Sequence, residues 1–203
     1  MSVPIVFYFD PLSPFAYIGS IAIERVAAHH RREVEWRPML LGITVMKIMG
    51  MKPLLEYPLK GPYLKRDMVR LAEYFDVPFR HHGLKGVNSL AACRAFLWAR
   101  EHAPEKAKPL AQALFARLWV RGQDITPPEA VIEEAAALGL DGAALEQALG
   151  GPDLKAALQS AVEQAVAEGV FGAPTFFVDG EMFWGNDHIW MLEHWLQHHS
   201  FRR

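Results

Sequence analysis

The chain has 203 residues, 51% of them hydrophobic and 22% charged, with a net charge of −2 and a pI near 6.5. This balance suits one large soluble domain, or a domain with an insertion. It gives no electrostatic case for nucleic acid, and no apolar run approaches the roughly 18 residues needed to span a membrane. The one cysteine, Cys93, excludes an internal disulfide and a Cys-x-x-Cys redox centre. Met1-Ser2-Val3-Pro4-Ile5 lacks the basic-then-apolar pattern of a secretory signal. A reducing, cytoplasmic setting is the simplest expectation, and an organelle matrix fits the same observations.

Taken in chain order, Val3 to Phe9 is β-branched and aromatic, ends at Asp10-Pro11, and reads as a buried strand. A helix follows from Ser13 to about His30, with Ile18, Ala22 and Val26 spaced four apart. Glu33 to Arg37 alternates like a short strand, and Pro38 stops it. A β-α-β start implies a parallel pair with a helical crossover.

From about Gly42 to Gly169 the pattern is helical. Leu64, Met68, Leu71 and Phe75 repeat at helical spacing, as do Leu110, Leu114 and Leu118. Thr126-Pro127-Pro128-Glu129 has the form of a capping box, and Asp141 is placed to cap the next helix. Leu154, Leu158, Val162 and Val166 line a last helix that Gly169 closes. Gly50 to Gly61, with Pro53 and Pro58, is expected to be the longest irregular piece, and such loops are often functional. The chain then returns to strands. Thr175 to Val178, a turn at Asp179-Gly180 and Glu181 to Trp184 form a hairpin. Asp187 can cap a final helix through Ile189, Leu192 and Leu196.

The junction at Ser13-Pro14 is the most informative local feature. Serine caps helices through its hydroxyl, and proline suits the first helical position. A helix N-terminus therefore stands at the carboxyl end of a strand, where anions bind. On spacing alone Ser13 is either a plain cap or a hydroxyl that serves a ligand.

Three motifs stand out in order: Phe9-Asp10-Pro11-Leu12-Ser13-Pro14-Phe15, Val170-Phe171-Gly172-Ala173-Pro174-Thr175 and Phe183-Trp184-Gly185-Asn186-Asp187. Together they resemble the kappa-class glutathione transferases and, more closely, the 2-hydroxychromene-2-carboxylate isomerases, within the DsbA-like branch of the thioredoxin superfamily. The resemblance covers essentially the whole chain. It implies an α/β, thioredoxin-like fold, residues 1–42 with 170–203, and an all-helical domain inserted at 43–169. Redox members of the superfamily carry Cys-x-x-Cys where this chain has Ser13-Pro14-Phe15-Ala16. The resemblance therefore implies bound glutathione, with Ser13 donating to its sulfur so that a borrowed thiol becomes the nucleophile.

The same resemblance assigns further roles. Pro14 and Phe15 would shape the glutathione cradle. A cis Ala173-Pro174 bond would present the Ala173 backbone to the glutathione cysteine like an added strand; the plainer reading of Pro174 is a strand-start proline. Trp184, Gly185, Asn186 and Asp187 would hold the γ-glutamyl end, with Asp187 on the ammonium and Asn186 on the carboxylate; a capping turn is the plainer reading. Lys47 would anchor the carboxylate of a small aromatic substrate, and Asn88 either lines the same pocket or caps a helix. The chain departs from the family pattern at Gly50-Met51, where many relatives have Gly-Asn, while Lys52, Pro53, Pro58, Lys60 and Tyr63 keep the spacing. The expected function is a glutathione-dependent isomerase, with a kappa-like transferase or peroxidase and a non-catalytic binding module as alternatives. A homodimer is also implied.

The remaining candidates carry less. Cys93 reads as a small buried apolar residue. The histidine pairs 29–30, 81–82 and 198–199 are adjacent, so their rings should point in different directions on a helix; they lack the i, i+4 spacing of shared ligands and lead to an expectation of no metal.

Overall fold

The computed structural model describes residues 3–83 and 85–202. Strand β1 (Ile5–Phe9) leads through Asp10–Ser13 into helix α1 (Pro14–His29), and β2 (Val34–Pro38) follows. A π-helical segment (Gly42–Ile48) and a 3₁₀ turn (Leu54–Glu56) precede α2 (Lys60–Tyr74). Then come α3 (Leu90–His102), α4 (Pro104–Trp119), α5 (Pro128–Ala137), α6 (Gly142–Leu149) and α7 (Pro152–Ala167). Strands β3 (Thr175–Val178) and β4 (Glu181–Trp184), a 3₁₀ turn (Asn186–His188) and α8 (Ile189–His198) complete the chain. The sheet order is β2-β1-β3-β4, with β1 parallel to β2 and antiparallel to β3. This is the thioredoxin-like arrangement, with helices α2 to α7 between its two halves.

Strand β1 is central and covered on both faces, which is why its sequence is continuously apolar rather than alternating. Ile5, Phe7 and Phe9 join the main core. Phe7 stacks on Phe176 with centroids 5.3 Å apart, and Phe9 meets Phe96 edge-on at 5.1 Å. Tyr8 points to the opposite face with Met39, Ala165 and Val170. Its hydroxyl donates to Glu168 at 2.8 Å and accepts from Arg37. Burial is the main cause that pushes this phenol up to about 12, so it serves as a strut between sheet and α7.

Helix α3 is buried along most of its length, with Ala91 to Cys93 and Ala95 to Ala99 in the core. The hairpin turn has positive φ at both Asp179 (51°) and Gly180 (91°), the geometry that matches the twist of the flanking strands. Among the described residues, no helix is long and apolar enough to cross a membrane.

Three local expectations are corrected. Gly50–Gly61 is interrupted by a 3₁₀ turn and ends inside α2, whereas the stretch between Tyr74 and Leu90 is longer and has no regular element among its described residues. Thr126 does not cap α5; its hydroxyl accepts from the backbone N–H of Asn88 at 2.9 Å, and Pro127 stands at the cap. Asp187 does not cap α8, because a 3₁₀ turn intervenes and leaves the Asp187 side chain three-quarters exposed. Asp141 does cap α6, accepting from Ala144 N at 3.0 Å.

Candidate active site

Ser13 sits at the N-terminus of α1 and is only 4% exposed. Its Oγ accepts from Ala16 N at 3.0 Å and donates to Ala173 O at 2.9 Å. The Ala173-Pro174 bond is cis. Pro174 O in turn accepts from Gly185 N at 3.0 Å, so the segment 173–174 lies between Ser13 and the β4–α8 turn. Ser13, Pro14, Phe15, Ala173, Pro174, Gly185 and Asn186 thus form one continuous set linked by main-chain and side-chain bonds. Trp184 borders it, 44% exposed and tilted against Phe171 with centroids 5.0 Å apart.

Asn186 links the two ends of this set. Its Nδ2 donates to Phe15 O at 2.9 Å, and its Oδ1 is buried with no partner among the described residues. This bond ties the β4–α8 turn to the first turn of α1. The fit depends on Gly19, where a Cβ would stand 2.5 Å from Asn186 Oδ1 and 3.2 Å from both Phe176 and Pro174. Gly19→Ala is therefore expected to lower stability by about 1–3 kcal/mol through overpacking. Urea unfolding measures this, and an unchanged midpoint would mean that Asn186 is free to turn away.

Lys47 and Asn88 do not bond to this set. Lys47 is exposed near the end of the π-helical segment. Asn88 is half-buried and stands just before Ser89, the cap residue of α3, its Oδ1 accepting from Leu90 N at 3.2 Å. Asp187, beside His188 at 3.5 Å, leaves its carboxylate open to solvent.

The residue that connects these parts is Asp10. It is fully buried, with Oδ1 accepting from Leu12 N at 2.9 Å and Oδ2 from Leu41 N at 2.8 Å. Ser89 lies close enough to pull in the same direction as these bonds. Burial raises its carboxyl above the usual range, against the pull of Ser89 and of the Leu12 and Leu41 N–H groups. One side chain thus ties the approach to Ser13 to the base of the Lys47 segment, beside the start of α3.

A family model described as the DSBA-like thioredoxin domain matches residues 4–197. The chain belongs to this DsbA-like thioredoxin family. Within it, the chain is 30% identical over 197 residues to 2-hydroxychromene-2-carboxylate isomerase of Sphingobium xenophagum, covering 97% of this chain and 99% of that protein. It is 29% identical to human glutathione S-transferase kappa 1, over 93% of this chain and 88% of that one. A solved structure of 2-hydroxychromene-2-carboxylate isomerase superposes with a TM-score of 0.84 at 26% identity, covering 96% of this chain and 95% of that one.

This chain has a single thiol. Its one cysteine, Cys93, lies fully buried in α3, and burial pushes its thiol well up. The position facing the cis proline carries a hydroxyl instead. The helix end can still stabilise a negative charge, but no side chain of this protein supplies a thiolate there.

The histidine doublets also need correction. His29 and His30 do not diverge; their rings meet edge to face with centroids 5.0 Å apart, and Glu193 of α8 reaches them. His194 and His198 form an i, i+4 pair on α8 with ring centroids 4.4 Å apart.

Proposed function

We propose that the protein is a glutathione-dependent cis–trans isomerase of an aromatic, 2-hydroxychromene-2-carboxylate-type keto acid. The observation that carries this reading is the Ser13 hydroxyl at the α1 N-terminus, bonded to Ala173 O beside a cis proline, where the protein has no thiol of its own. Near-full-length similarity to a 2-hydroxychromene-2-carboxylate isomerase supports the substrate class. The donor set fits glutathione. A helix N-terminus and a hydroxyl suit a sulfur anion, the Ala173 backbone suits its peptide, and the open Asp187 carboxylate suits its ammonium. Pro14, Phe15, Trp184, Gly185 and the amides of the β4–α8 turn would complete the cradle.

Bound glutathione would supply the thiolate that adds to a conjugated carbon and leaves after the bond has turned. The chain's own contribution is to hold that sulfur ionised. With glutathione bound, Ser13 Oγ would keep its bond from Ala16 N and would turn its proton from Ala173 O to the sulfur, which would free Ala173 O for main-chain pairing. A hydroxyl donor and a helix end together lower a thiol from its ordinary pKa of about 8.5. Lys47 would meet the substrate carboxylate as a point charge, and Asn186 would keep the two halves of the cradle in register.

Adding a chromene carboxylate with and without glutathione, while following both the product and free thiol, tests this. Isomerisation that requires glutathione without consuming it is the expected result, and Lys47→Met should raise KM. Turnover without glutathione would overturn the reading. Similarity to human kappa transferase favours a second reading, conjugation of electrophiles, which an aryl halide assay detects as thiol consumption. Absence of glutathione binding by calorimetry would leave a non-catalytic module.

A further inference from the structure

We infer that His29, His30 and Glu193 form a binding site for a divalent transition-metal ion of the zinc type, independent of the glutathione site. Helix α1 ends at His29, His30 is its C-cap residue, and Arg31 follows with a φ of 53° that turns the chain away. The two imidazoles are thus presented together at the end of a helix. Glu193 approaches from the middle of α8, its Oε1 lying 3.4 Å from His30 Nε2. One ligating atom from each of the three residues lies within 4.8 Å of the others.

These distances suit a shared metal ion. Two ligands bound at about 2.0–2.1 Å to a tetrahedral zinc ion stand about 3.3–3.4 Å apart. The His30–Glu193 pair already has this separation. His29 is exposed, and its ligating nitrogen lies within 4.8 Å of the other two ligand atoms. Two imidazoles and one carboxylate suit zinc, nickel or copper(II), whereas calcium and magnesium need more oxygen ligands and soft ions need thiolates. Three protein ligands would leave the fourth position to water.

The site's place in the fold gives it a structural role. It lies about 25 Å along α1 from Ser13, at 1.5 Å per residue, so the metal takes no part in chemistry there. The ion would pin α8 to the C-terminal end of α1, while Asn186 already pins the turn before α8 to the N-terminal end of α1. Both helices would then be fixed at two points.

The test uses tag-free, full-length protein stripped with chelator, titrated with zinc chloride by calorimetry and melted with and without zinc. The His194–His198 pair is a second possible chelator, so the titrations are repeated in a His194→Ala/His198→Ala background. One zinc per chain should bind in that background and raise the melting temperature. Loss of an outer-shell partner alone reduces metal affinity by about 10–100-fold, so His30→Ala, His29→Ala and Glu193→Gln should each weaken binding at least about tenfold. Melting the variants without zinc, together with His30→Gln, separates lost ligation from lost folding. No zinc binding in the background protein would overturn the site, as would binding that is indifferent to His30→Ala and Glu193→Gln.

Discussion

Replacing Ser13 with alanine is expected to lower glutathione-dependent turnover by about 10²-fold or more, the scale of removing one preorganised donor from a developing or resident anion. The reason is the position of the hydroxyl. It is buried and holds the bond from Ala16 N, so the oxygen's position is fixed before any ligand arrives and only its proton must turn from Ala173 O. The pH profile supplies a second readout. With the donor gone, the sulfur relies on the helix end alone, and the rising limb of the rate should move toward the ordinary thiol value of about 8.5. Ser13→Thr keeps a hydroxyl and should retain part of the activity.

Ser13→Ala also removes a helix cap and leaves Ala16 N and Ala173 O without their partner. A stability loss of about 1–3 kcal/mol is expected on that account. Melting the variant beside the wild type separates this from the chemical effect, and saturating glutathione should not restore turnover if the hydroxyl acts on the thiolate. A variant with normal turnover and only a lower melting temperature would make Ser13 a cap and nothing more.

What could be read from the sequence was local. The β-branched run into Asp10-Pro11, the Ser13-Pro14 junction, the Asp179-Gly180 turn and the Asp141 cap each depend on neighbours within a few residues, and each forms as the pattern implies. The failures share a different cause. Thr126 has the right spacing for a capping box, but its hydroxyl is taken by Asn88, which is 38 residues away. Asp187 precedes a helical pattern, but a 3₁₀ turn displaces the start of α8 to Ile189. Asn186 was legible as a site residue but not as a strut, because Phe15 O is 171 residues distant.

The histidines make the same point. Adjacent rings diverge on a continuing helix, but α1 stops there, and Glu193 comes from an element 163 residues later. The i, i+4 spacing of His194 and His198 is visible in the sequence, although the neighbouring doublet at 198–199 draws the eye. Asp10 left the weakest signal of all. An acid closing an apolar strand beside proline looks like a turn residue, and its neighbours at 41 and 89 belong to other segments. Local pattern identifies which residue types stand at the site, whereas the contacts that hold them in place are non-local.

Asp10→Asn should expose that non-local part. An amide offers one acceptor oxygen where the carboxylate offers two, so the donor at Leu12 or at Leu41 must face an NH₂ group. Asp10→Ala removes every acceptor, and a loss of about 2–4 kcal/mol is expected from the unpaired buried donors, less the relief of no longer burying a charge. The pH dependence has a definite sign. Burial raises the folded-state carboxyl above its ordinary value of 3.8. Between 3.8 and the raised value the folded chain holds more protons than the unfolded one, so this group's contribution to stability falls as pH rises through that window and is constant above it. Asp10→Asn lacks the effect, so its stability deficit should narrow as pH rises from about 4. Urea midpoints of both proteins at matched pH measure this difference, and parallel curves would remove Asp10 from the account. The kinetic consequence follows from what Asp10 joins. It fixes the base of the Lys47 segment relative to Ser13, so loosening it should raise KM about fivefold, the factor carried by about 1 kcal/mol of lost positioning, with a smaller change in kcat. A fall in kcat at unchanged KM would instead place its action on Ser13, through the Leu12 N–H at the entry to α1.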